Sequence, residues 1–162
     1  MTAVDTARAA EPRPRRSIAD LTGFEFVAGL AAGTIPRPPM AETLPFTLLA
    51  PDEGKVSLMA RPEPRFFNLT RTVHGGWIMT MLDTVMALAA HTTLAPGEHA
   101  PSHETTAKFV RPIGADCGDL RVVGHVVSRG RTVITLEGRI EDAQGKLYAH
   151  GTSTCLVVSR RD

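Results

Sequence analysis

From Trp77 to Ala90 the sequence reads WIMTMLDTVMALAA, an apolar run whose one charged side chain is Asp83. At about 100° per residue, a helix over this run places its larger apolar side chains on one broad face. These residues are Trp77, Ile78, Met81, Leu82, Val85 and Ala89. Besides Asp83, the other side carries only small or weakly polar residues, which are Met79, Thr80, Thr84, Ala87 and Ala90. The sequence therefore predicts a central helix that its own sheet covers on one face and a second copy of the chain covers on the other.

The charge of Asp83 admits two interpretations. In the first, the carboxylate meets an arginine or lies at an interface rim, as structural ion pairs do. In the second, it lies in a dry cleft, where a carboxylate acts as a general base or a nucleophile. Burying a lone charge is costly, so both interpretations require that the carboxylate be paired or used.

A His74-Gly75-Gly76 triplet stands where this helix is expected to begin. Glycine permits a tight turn and the close approach of a ligand to the backbone. The first N–H groups of a helix have no intrahelical partner, and the helix dipole favours negative charge there. Such donors would stabilise a carbonyl oxygen that gains charge during acyl transfer, although an ordinary glycine-rich helix start has the same sequence.

The spacing between the triplet and the carboxylate limits how the two can cooperate. Eight residues at a rise of about 1.5 Å separate the Gly75 amide from Asp83 by ~12 Å along the helix axis. Both groups therefore cannot serve one carbonyl within a single chain. If both are catalytic, Asp83 must come from a neighbouring subunit whose helix runs antiparallel, and the contact that buries the outer helix face also assembles the site.

Six β-prone runs flank the helix, two before it and four after it. The first two, 44–50 and 54–62, surround the polar turn PDEG, and a shorter helix near residues 21–33 precedes them. The later runs are 103–112, 119–130, 132–142 and 146–159. Strands joined by turns of a few residues pair antiparallel, because a parallel return needs a crossover. The pattern predicts an α+β fold with one antiparallel sheet around a central helix.

Length and composition exclude several classes of protein. A chain of 162 residues suffices for one domain, which we expect over residues 21–162. The formal net charge of +1 gives no sign of a nucleic-acid or membrane surface. The Arg- and Pro-rich start lacks the apolar stretch of a secretory signal, so we expect a disordered tail over residues 1–20 and a cytoplasmic protein. Cys117 and Cys155 are expected to be reduced thiols, because they have no metal or redox spacing.

Familiar catalytic motifs are missing from the sequence. The six histidines show no metal-ligand spacing, and HETTA at 103–107 lacks the second histidine of a zinc HExxH motif. The chain also contains no GxSxG, no GxGxxG and no phosphate loop. We therefore expect no metal site.

The combination of N-x5-HGG-x6-LD with FVRP, SRGRT and GKLYAHGTSTCLV resembles the hotdog-fold acyl-CoA thioesterases of the phenylacetate-pathway (PaaI) type. The resemblance covers about Leu21 to Val158. It implies an antiparallel sheet wrapped around a long central helix, association into homodimers or homotetramers, and active sites between subunits. It also implies an acyl-CoA substrate, with no cofactor besides the CoA that the substrate carries.

The resemblance implies a role for several residues. Asp83 would activate the attacking water or attack the thioester directly, and the Gly75 amide would polarise its carbonyl. Asn68 and His74 would help to orient the carbonyl or the water, and Ser102 stands where some relatives place a hydroxyl that assists the carboxylate. The residues implied in binding the substrate and its CoA are Gly76, Arg111, Arg129, Gly130 and Arg131, and the arginines fit equally well in solvated turns. Many relatives have glycine where this chain has Arg71.

Two other functions are compatible with the same fold. Hydratases and dehydratases of enoyl or hydroxyacyl thioesters need a histidine with an acidic partner, in a sequence context that differs from VHGGW. A non-catalytic module would bind acyl-CoA without turning it over. Hydrolysis of an acyl-CoA thioester to a carboxylic acid and free CoA is the function we expect.

Overall fold

A computed structural model of the chain describes residues 17–159. Most of the expected N-terminal tail, residues 1–16, and the last three residues of the expected domain lie outside the described range. The last residues of the tail segment form a short 3-10 turn, Ile18–Asp20, which the Ser17 side chain caps. None of the helices within residues 17–159 is long and apolar enough to cross a membrane.

The described chain contains three α-helices and eight strands. The helices are α1 (Gly23–Ala31), α2 (Met40–Thr43) and α3 (Gly75–His91). The strands are β1 (Thr47–Leu48), β2 (Lys55–Ala60), β3 (Glu98–His99), β4 (Ser102–Phe109), β5 (Leu120–Arg129), β6 (Val133–Glu141), β7 (Leu147–Leu156) and β8 (Val158–Ser159). Each of the six predicted β-prone runs contains a strand, and the expected long helix is α3. The predicted α+β class is confirmed.

Six strands form one antiparallel sheet in the order β1-β2-β5-β6-β7-β4. The remaining two, β3 and β8, pair with each other at one end. The two edges of the large sheet within residues 17–159 are therefore the short strand β1 and the eight-residue strand β4. Most residues of the edge strand β4 are exposed in the single chain.

A row of glycines brings α3 close to the sheet. Gly124 of β5 pairs with Gly138 of β6, which pairs with Gly151 of β7. A methyl group on Gly124 would lie 2.7 Å from the backbone oxygen of Val85, closer than real side chains approach. The same substitution on Gly138 or Gly151 would place a carbon 3.0 to 3.2 Å from side chains of α3. The helix therefore lies in a channel lined by these three glycines, and its backbone comes closest to the sheet at Gly124.

The apolar face of α3 is buried as predicted. All six residues assigned to it are exposed by 4% or less. Of the other face, Met79, Thr80, Asp83, Thr84 and Ala87 are half-buried, whereas Ala90 is fully buried. The prediction that a second copy covers Ala90 was wrong, because the single chain already buries this residue.

Helix α1 packs on the C-terminal end of α3. The backbone N–H of Gly23 donates to the oxygen of Leu94 at 2.9 Å, and a side chain at Gly23 would overlap the oxygen of His91. The His91 and Phe26 rings lie 5.2 Å apart. Burial lowers the pKa of the His91 imidazole from its ordinary value, and the nearby His99 lowers it further.

We expect Gly124→Ala to lower the free energy of unfolding by about 1–3 kcal/mol, because the new methyl group must push α3 away from β5. Gly114→Ala is the matched control, since no atom lies within 4 Å of the position of its methyl group. Urea unfolding of both variants measures the difference. Equal stability of the two would show that α3 does not depend on this close contact.

We expect the stability of the fold to decrease as the pH falls below the ordinary pKa of histidine. The unfolded chain then takes up a proton at His91 before the folded chain does, which costs at most roughly 1.4 kcal/mol per pH unit. At higher pH both states hold a neutral imidazole, and this effect vanishes. Thermal melting of wild type and His91→Gln at pH 7.5 and pH 5.5 measures it, and the variant should lose less stability than the wild type. An equal loss in both would contradict the assignment to His91.

Candidate active site

A closed loop leads from β2 into α3, and the Asn68 side chain holds it together. The amide oxygen of Asn68 accepts the backbone N–H groups of Thr70 and Thr72 at 3.0 and 3.1 Å and the Thr70 hydroxyl at 2.8 Å. Its nitrogen donates to the Thr72 hydroxyl at 2.9 Å. A backbone bridge between Phe67 and Val73 closes the base of the loop. Within the chain, Asn68 therefore shapes the loop that precedes His74.

Arg71 occupies the position where many relatives have glycine, and its backbone conformation explains that preference. Its φ is 61°, in the left-handed region, which costs a residue with a side chain roughly 1–2 kcal/mol. The Arg71 N–H still donates to the Asn68 oxygen at 3.0 Å. The loop thus keeps the turn that glycine would favour, and Asn68 stays within it.

His74 is the N-cap of α3. Its ring nitrogen Nδ1 accepts the backbone N–H of Gly76 at 2.9 Å. An accepting Nδ1 carries a lone pair, so this hydrogen bond assigns the proton of the neutral ring to Nε2. The imidazole is exposed, which leaves Nε2–H available to a ligand.

The Gly75 amide is the free donor of the first helical turn. The next three N–H groups have partners, because that of Gly76 bonds the His74 ring and those of Trp77 and Ile78 bond the His74 oxygen. For the Gly75 N–H, residues 17–159 supply no acceptor. The ring of Phe109 lies 3.2 Å from the place of a methyl group on Gly75. A free amide at the positive end of a helix can bind an oxygen that becomes negatively charged.

Asp83 lies on the half-buried face of α3 and bonds a hydroxyl on the sheet. Its Oδ1 accepts the hydroxyl of Thr105 on β4 at 2.9 Å. The Thr105 hydroxyl lies 3.1 Å from that of Ser153 on β7, which can also donate to the Glu104 oxygen at 2.9 Å. Among residues 17–159, Asp83 forms no salt bridge. The ion-pair interpretation of its charge therefore has no support within the described chain.

The sequence did not identify Thr105 as a partner of Asp83, and the reason lies in an irregularity of β4. The register of β4 against β7 shifts between Ser102 and Glu104. Ser102 pairs with Cys155, and Thr105 pairs with Ser153, two residues earlier on β7. Both therefore face the helix although three positions separate them, which simple alternation along a strand does not predict.

Ser102 has a different neighbour from the expected one within its own chain. Ser102 pairs with Cys155 in the register of β4 and β7, and the Cys155 thiol is fully buried. Burial raises the pKa of this thiol, the hydroxyls of Ser102 and Ser153 lower it, and the Asp83 charge raises it, with a net increase. Cys155 is thus a poor nucleophile. The structure brings Thr105 rather than Ser102 to Asp83 in one chain, and the role of Ser102 stays a prediction.

Gly75 and Asp83 are far apart within one chain. Phe109 of β4 contacts Gly75, and Thr105 of the same strand bonds Asp83. Four strand residues span about 13 Å, which matches the ~12 Å of eight helical residues. Strand β4 therefore runs beside α3 in the opposite direction, and it separates the two groups by two helical turns.

The residues expected to bind CoA lie at opposite ends of α3. Arg111 follows β4 beside the start of the helix, and its guanidinium donates to the Leu147 oxygen at 2.7 Å. Arg129 pairs with Glu98 at 3.4 Å and bonds the Gly130 oxygen in the turn between β5 and β6, near the end of α3. The third arginine of this group, Arg131, is exposed in the same turn. One chain does not bring these residues together.

An open cavity of about 290 Å³ lies beside the start of α3. Its lining is mostly aromatic and apolar and includes the site residues His74 and Gly76. The other lining residues are Leu44, Arg65, Phe66, Phe67, Trp77 and Thr80. Met81 and Met86 of α3 are fully buried in the core and do not line this cavity. The cavity is large enough for a group bigger than benzene, for which about 150 Å³ suffices.

The chain is similar to known thioesterases in both sequence and structure. Residues 71–149 match the family model of the thioesterase superfamily. Acyl-coenzyme A thioesterase 13 of Homo sapiens is 32% identical over 112 residues, which cover 67% of this chain and 76% of the human protein.

Comparison with solved structures also relates the chain to thioesterases. A phenylacetic acid degradation-related thioesterase of Ralstonia eutropha JMP134 superimposes with a TM-score of 0.73 at 31% identity, over 80% of this chain and 98% of that one. The PaaI protein of E. coli superimposes with a TM-score of 0.73 at 21% identity, over 86% and 96% of the two chains. The first supports the family, and the second supports the fold alone. The resemblance noted in the sequence is confirmed.

Proposed function

This chain belongs to the thioesterase superfamily and is a thioester hydrolase, and from that premise we propose that it cleaves acyl-CoA to a carboxylic acid and free CoA. The observation that carries the proposal is the free Gly75 amide at the start of α3, beside an apolar cavity. The thioester carbonyl oxygen would accept this N–H, and His74 Nε2–H would be a second donor. Gly76 would border the acyl group, which would lie in the cavity.

In the proposed reaction, the oxygen of a water molecule adds to the thioester carbon. Asp83 takes up the proton of the water, and the charge that develops on the carbonyl oxygen is stabilised by the Gly75 amide. The carbon–sulfur bond then breaks, and the CoA thiolate leaves and receives a proton. In a variant of the scheme, the carboxylate attacks first and water cleaves the resulting anhydride. Single turnover in H₂¹⁸O detects this variant where water adds to the aspartyl carbon of the anhydride, because the label then enters Asp83, whereas general-base attack puts it in the product acid.

The carboxylate in each site would come from a second copy of the chain. The outer face of α3 is half-buried, the adjacent strand β4 has a free edge, and Phe109 and Val110 at its end are exposed by 56% and 45%. Pairing two copies there with antiparallel α3 helices would cover these surfaces. It would also bring Asp83 of one copy close to Gly75 of the other, whereas ~12 Å separates these two groups within one chain.

The same arrangement would complete the CoA site. Antiparallel helices bring the start of one α3 near the end of the other, and hence Arg111 of one copy toward Arg129, Gly130 and Arg131 of the partner. Guanidinium groups from both copies would then bind the CoA phosphates. Ser102 would help to orient the carboxylate or the water, and Asn68 would contribute through the loop that it holds. Two such homodimers could further pair into a homotetramer.

Release of free thiol from a panel of aromatic, medium-chain and short-chain acyl-CoA substrates, followed with DTNB, tests the activity. We expect hydrolysis of at least one substrate. Formation or loss of a conjugated double bond without free thiol would instead indicate a hydratase or dehydratase. Binding of acyl-CoA without turnover would indicate a binding module.

We expect Gly75→Pro to lower kcat roughly 10²- to 10³-fold, because proline removes the N–H that polarises the carbonyl. Proline fits the first position of a helix, and the extended backbone of His74, with φ −63° and ψ 138°, is compatible with a following proline. Gly75→Ala is the matched control, since it adds a carbon near Phe109 and keeps the N–H. Equal activity of the two variants would exclude a role for the amide.

We expect Asp83→Asn to lower kcat roughly 10²-fold or more while the fold and the oligomeric state are kept. If each site combines Asp83 of one copy with Gly75 of the other, a heterodimer of Asp83→Asn and Gly75→Pro retains one intact site of two. Equimolar mixing with subunit exchange should therefore restore roughly a quarter of the wild-type activity. A mixture that stays as inactive as either variant, although heterodimers form, would place both groups of each site in one chain.

A further inference from the structure

We propose that Thr105, supported by Ser153, is the positioning residue of Asp83: it holds one carboxylate oxygen and leaves the other free for the attacking water. This inference rests on the proposed function, because it assigns a task to a neighbour of the proposed catalytic carboxylate. The observation that carries it is the chain of hydroxyl contacts from Ser153 through Thr105 to Oδ1 of Asp83.

The direction of these hydrogen bonds follows from the chemistry of the groups. An ionised carboxylate can only accept, so the single hydroxyl proton of Thr105 must go to Asp83. The Ser153 hydroxyl lies 3.1 Å from the Thr105 oxygen and donates to the Glu104 oxygen at 2.9 Å, which ties this contact to the strand backbone. A hydrogen bond donated to a charged acceptor, such as that from Thr105 to Asp83, is among the stronger ones in proteins.

The sheet gives this chain a rigid base. Thr105 and Ser153 face each other in the register of β4 and β7, and Ser153 is only 3% exposed. A β-branched side chain such as threonine has few accessible rotamers. The carboxylate is therefore fixed by two strands as well as by its own helix, which limits the rotation of its oxygens around the Cβ–Cγ bond.

The arrangement has a consequence for catalysis. With Oδ1 bonded to Thr105, Oδ2 is the oxygen that stays available to water and receives the proton. Loss of the hydroxyl should consequently disturb the orientation of the base and lower kcat with little effect on KM. A replacement that keeps the hydroxyl should restore the rate, which a purely structural role of the side chain would not require.

A second hydroxyl pair between β4 and β7 provides a control for the loss of the Thr105 hydroxyl. Thr106 and Thr152, which also face each other in the register, form a hydroxyl pair at 2.9 Å on the opposite, exposed side of the sheet. They form the same kind of hydroxyl contact between the same two strands, one position further along β4, and of the two β4 threonines it is Thr105 that lies within hydrogen-bonding distance of Asp83. Thr106→Val therefore removes an equivalent hydroxyl without touching the carboxylate.

The test compares Thr105→Val, Thr105→Ser and Thr106→Val in the full chain, using a substrate that the wild type hydrolyses. Thr105→Val should lower kcat roughly 10- to 100-fold with little change in KM. Thr105→Ser should restore most of the rate, and Thr106→Val should behave as wild type. Ser153→Ala should give a smaller effect of the same kind. Wild-type kinetics in Thr105→Val, or an equal loss in Thr106→Val, would overturn the proposal.

A second readout does not depend on turnover. Crystal structures of wild type, Thr105→Ser and Thr105→Val compare the position of the Asp83 carboxylate. Oδ1 should keep its hydrogen bond to residue 105 in wild type and Thr105→Ser, and the carboxylate should rotate away or become disordered in Thr105→Val. If no acyl-CoA is hydrolysed but the carboxylate moves only in Thr105→Val, the proposed function fails while the contact is real. If hydrolysis occurs and the carboxylate keeps one position in all three proteins, the function stands and this inference fails.

Discussion

The close packing of α3 in the glycine channel is the constraint on which the rest of the structure depends. Gly124, Gly138 and Gly151 are aligned across three neighbouring strands, so the helix backbone can approach the sheet where any side chain would keep it away. This approach places Asp83 within reach of a hydroxyl on β4 and places Gly75 beneath Phe109 of the same strand. Because interiors are packed to high density, a helix fixed in this way has little freedom to slide. The positions of the amide and the carboxylate are thus properties of the sheet as much as of the helix.

One helix carries both proposed catalytic groups, and this explains why a single chain would be incomplete. A helix has free N–H groups only in its first turn. A carboxylate in the middle of the helix, by contrast, can contact side chains of the neighbouring sheet. The two requirements separate the groups by two turns. A second helix in the opposite direction repeats the same separation in reverse, so a symmetric pair of chains would restore two complete sites with one contact. On this proposal, the contact with the second copy explains two features. It covers the face of α3 around Asp83, which lacks other charged residues, and it covers β4, which is an edge strand within residues 17–159.

The sequence predicted the elements and the helix faces well because those depend on short-range periodicity. The long helix, the six β-prone runs and the buried stripe of α3 all follow from spacing within a few residues, and the family follows from motifs of similar size. The glycine channel could not be predicted, since its members lie more than ten residues apart and meet only through strand register. Thr105 was missed for a related reason. The register shift after Ser102 changes which residues of β4 face the helix. Strict alternation of side chains from Ser102 would therefore assign Thr105 to the opposite face of the sheet. The complete burial of Ala90 within one chain is a tertiary effect, which helical periodicity does not describe.

The charge of Asp83 can be explained by comparing the partners that were available to it. A guanidinium would satisfy the carboxylate most strongly, but it would bind both oxygens in a bidentate pair and leave none for a substrate. A full set of backbone donors would do the same. A single hydroxyl offsets part of the cost of burial and binds one oxygen, while the half-buried position of the residue leaves the other accessible. An incompletely satisfied carboxylate reduces stability, and such a cost is expected where a group is kept for chemistry rather than for folding. On the proposed function, the single hydroxyl partner of Asp83 is therefore what a carboxylate needs if it is to accept a proton from water.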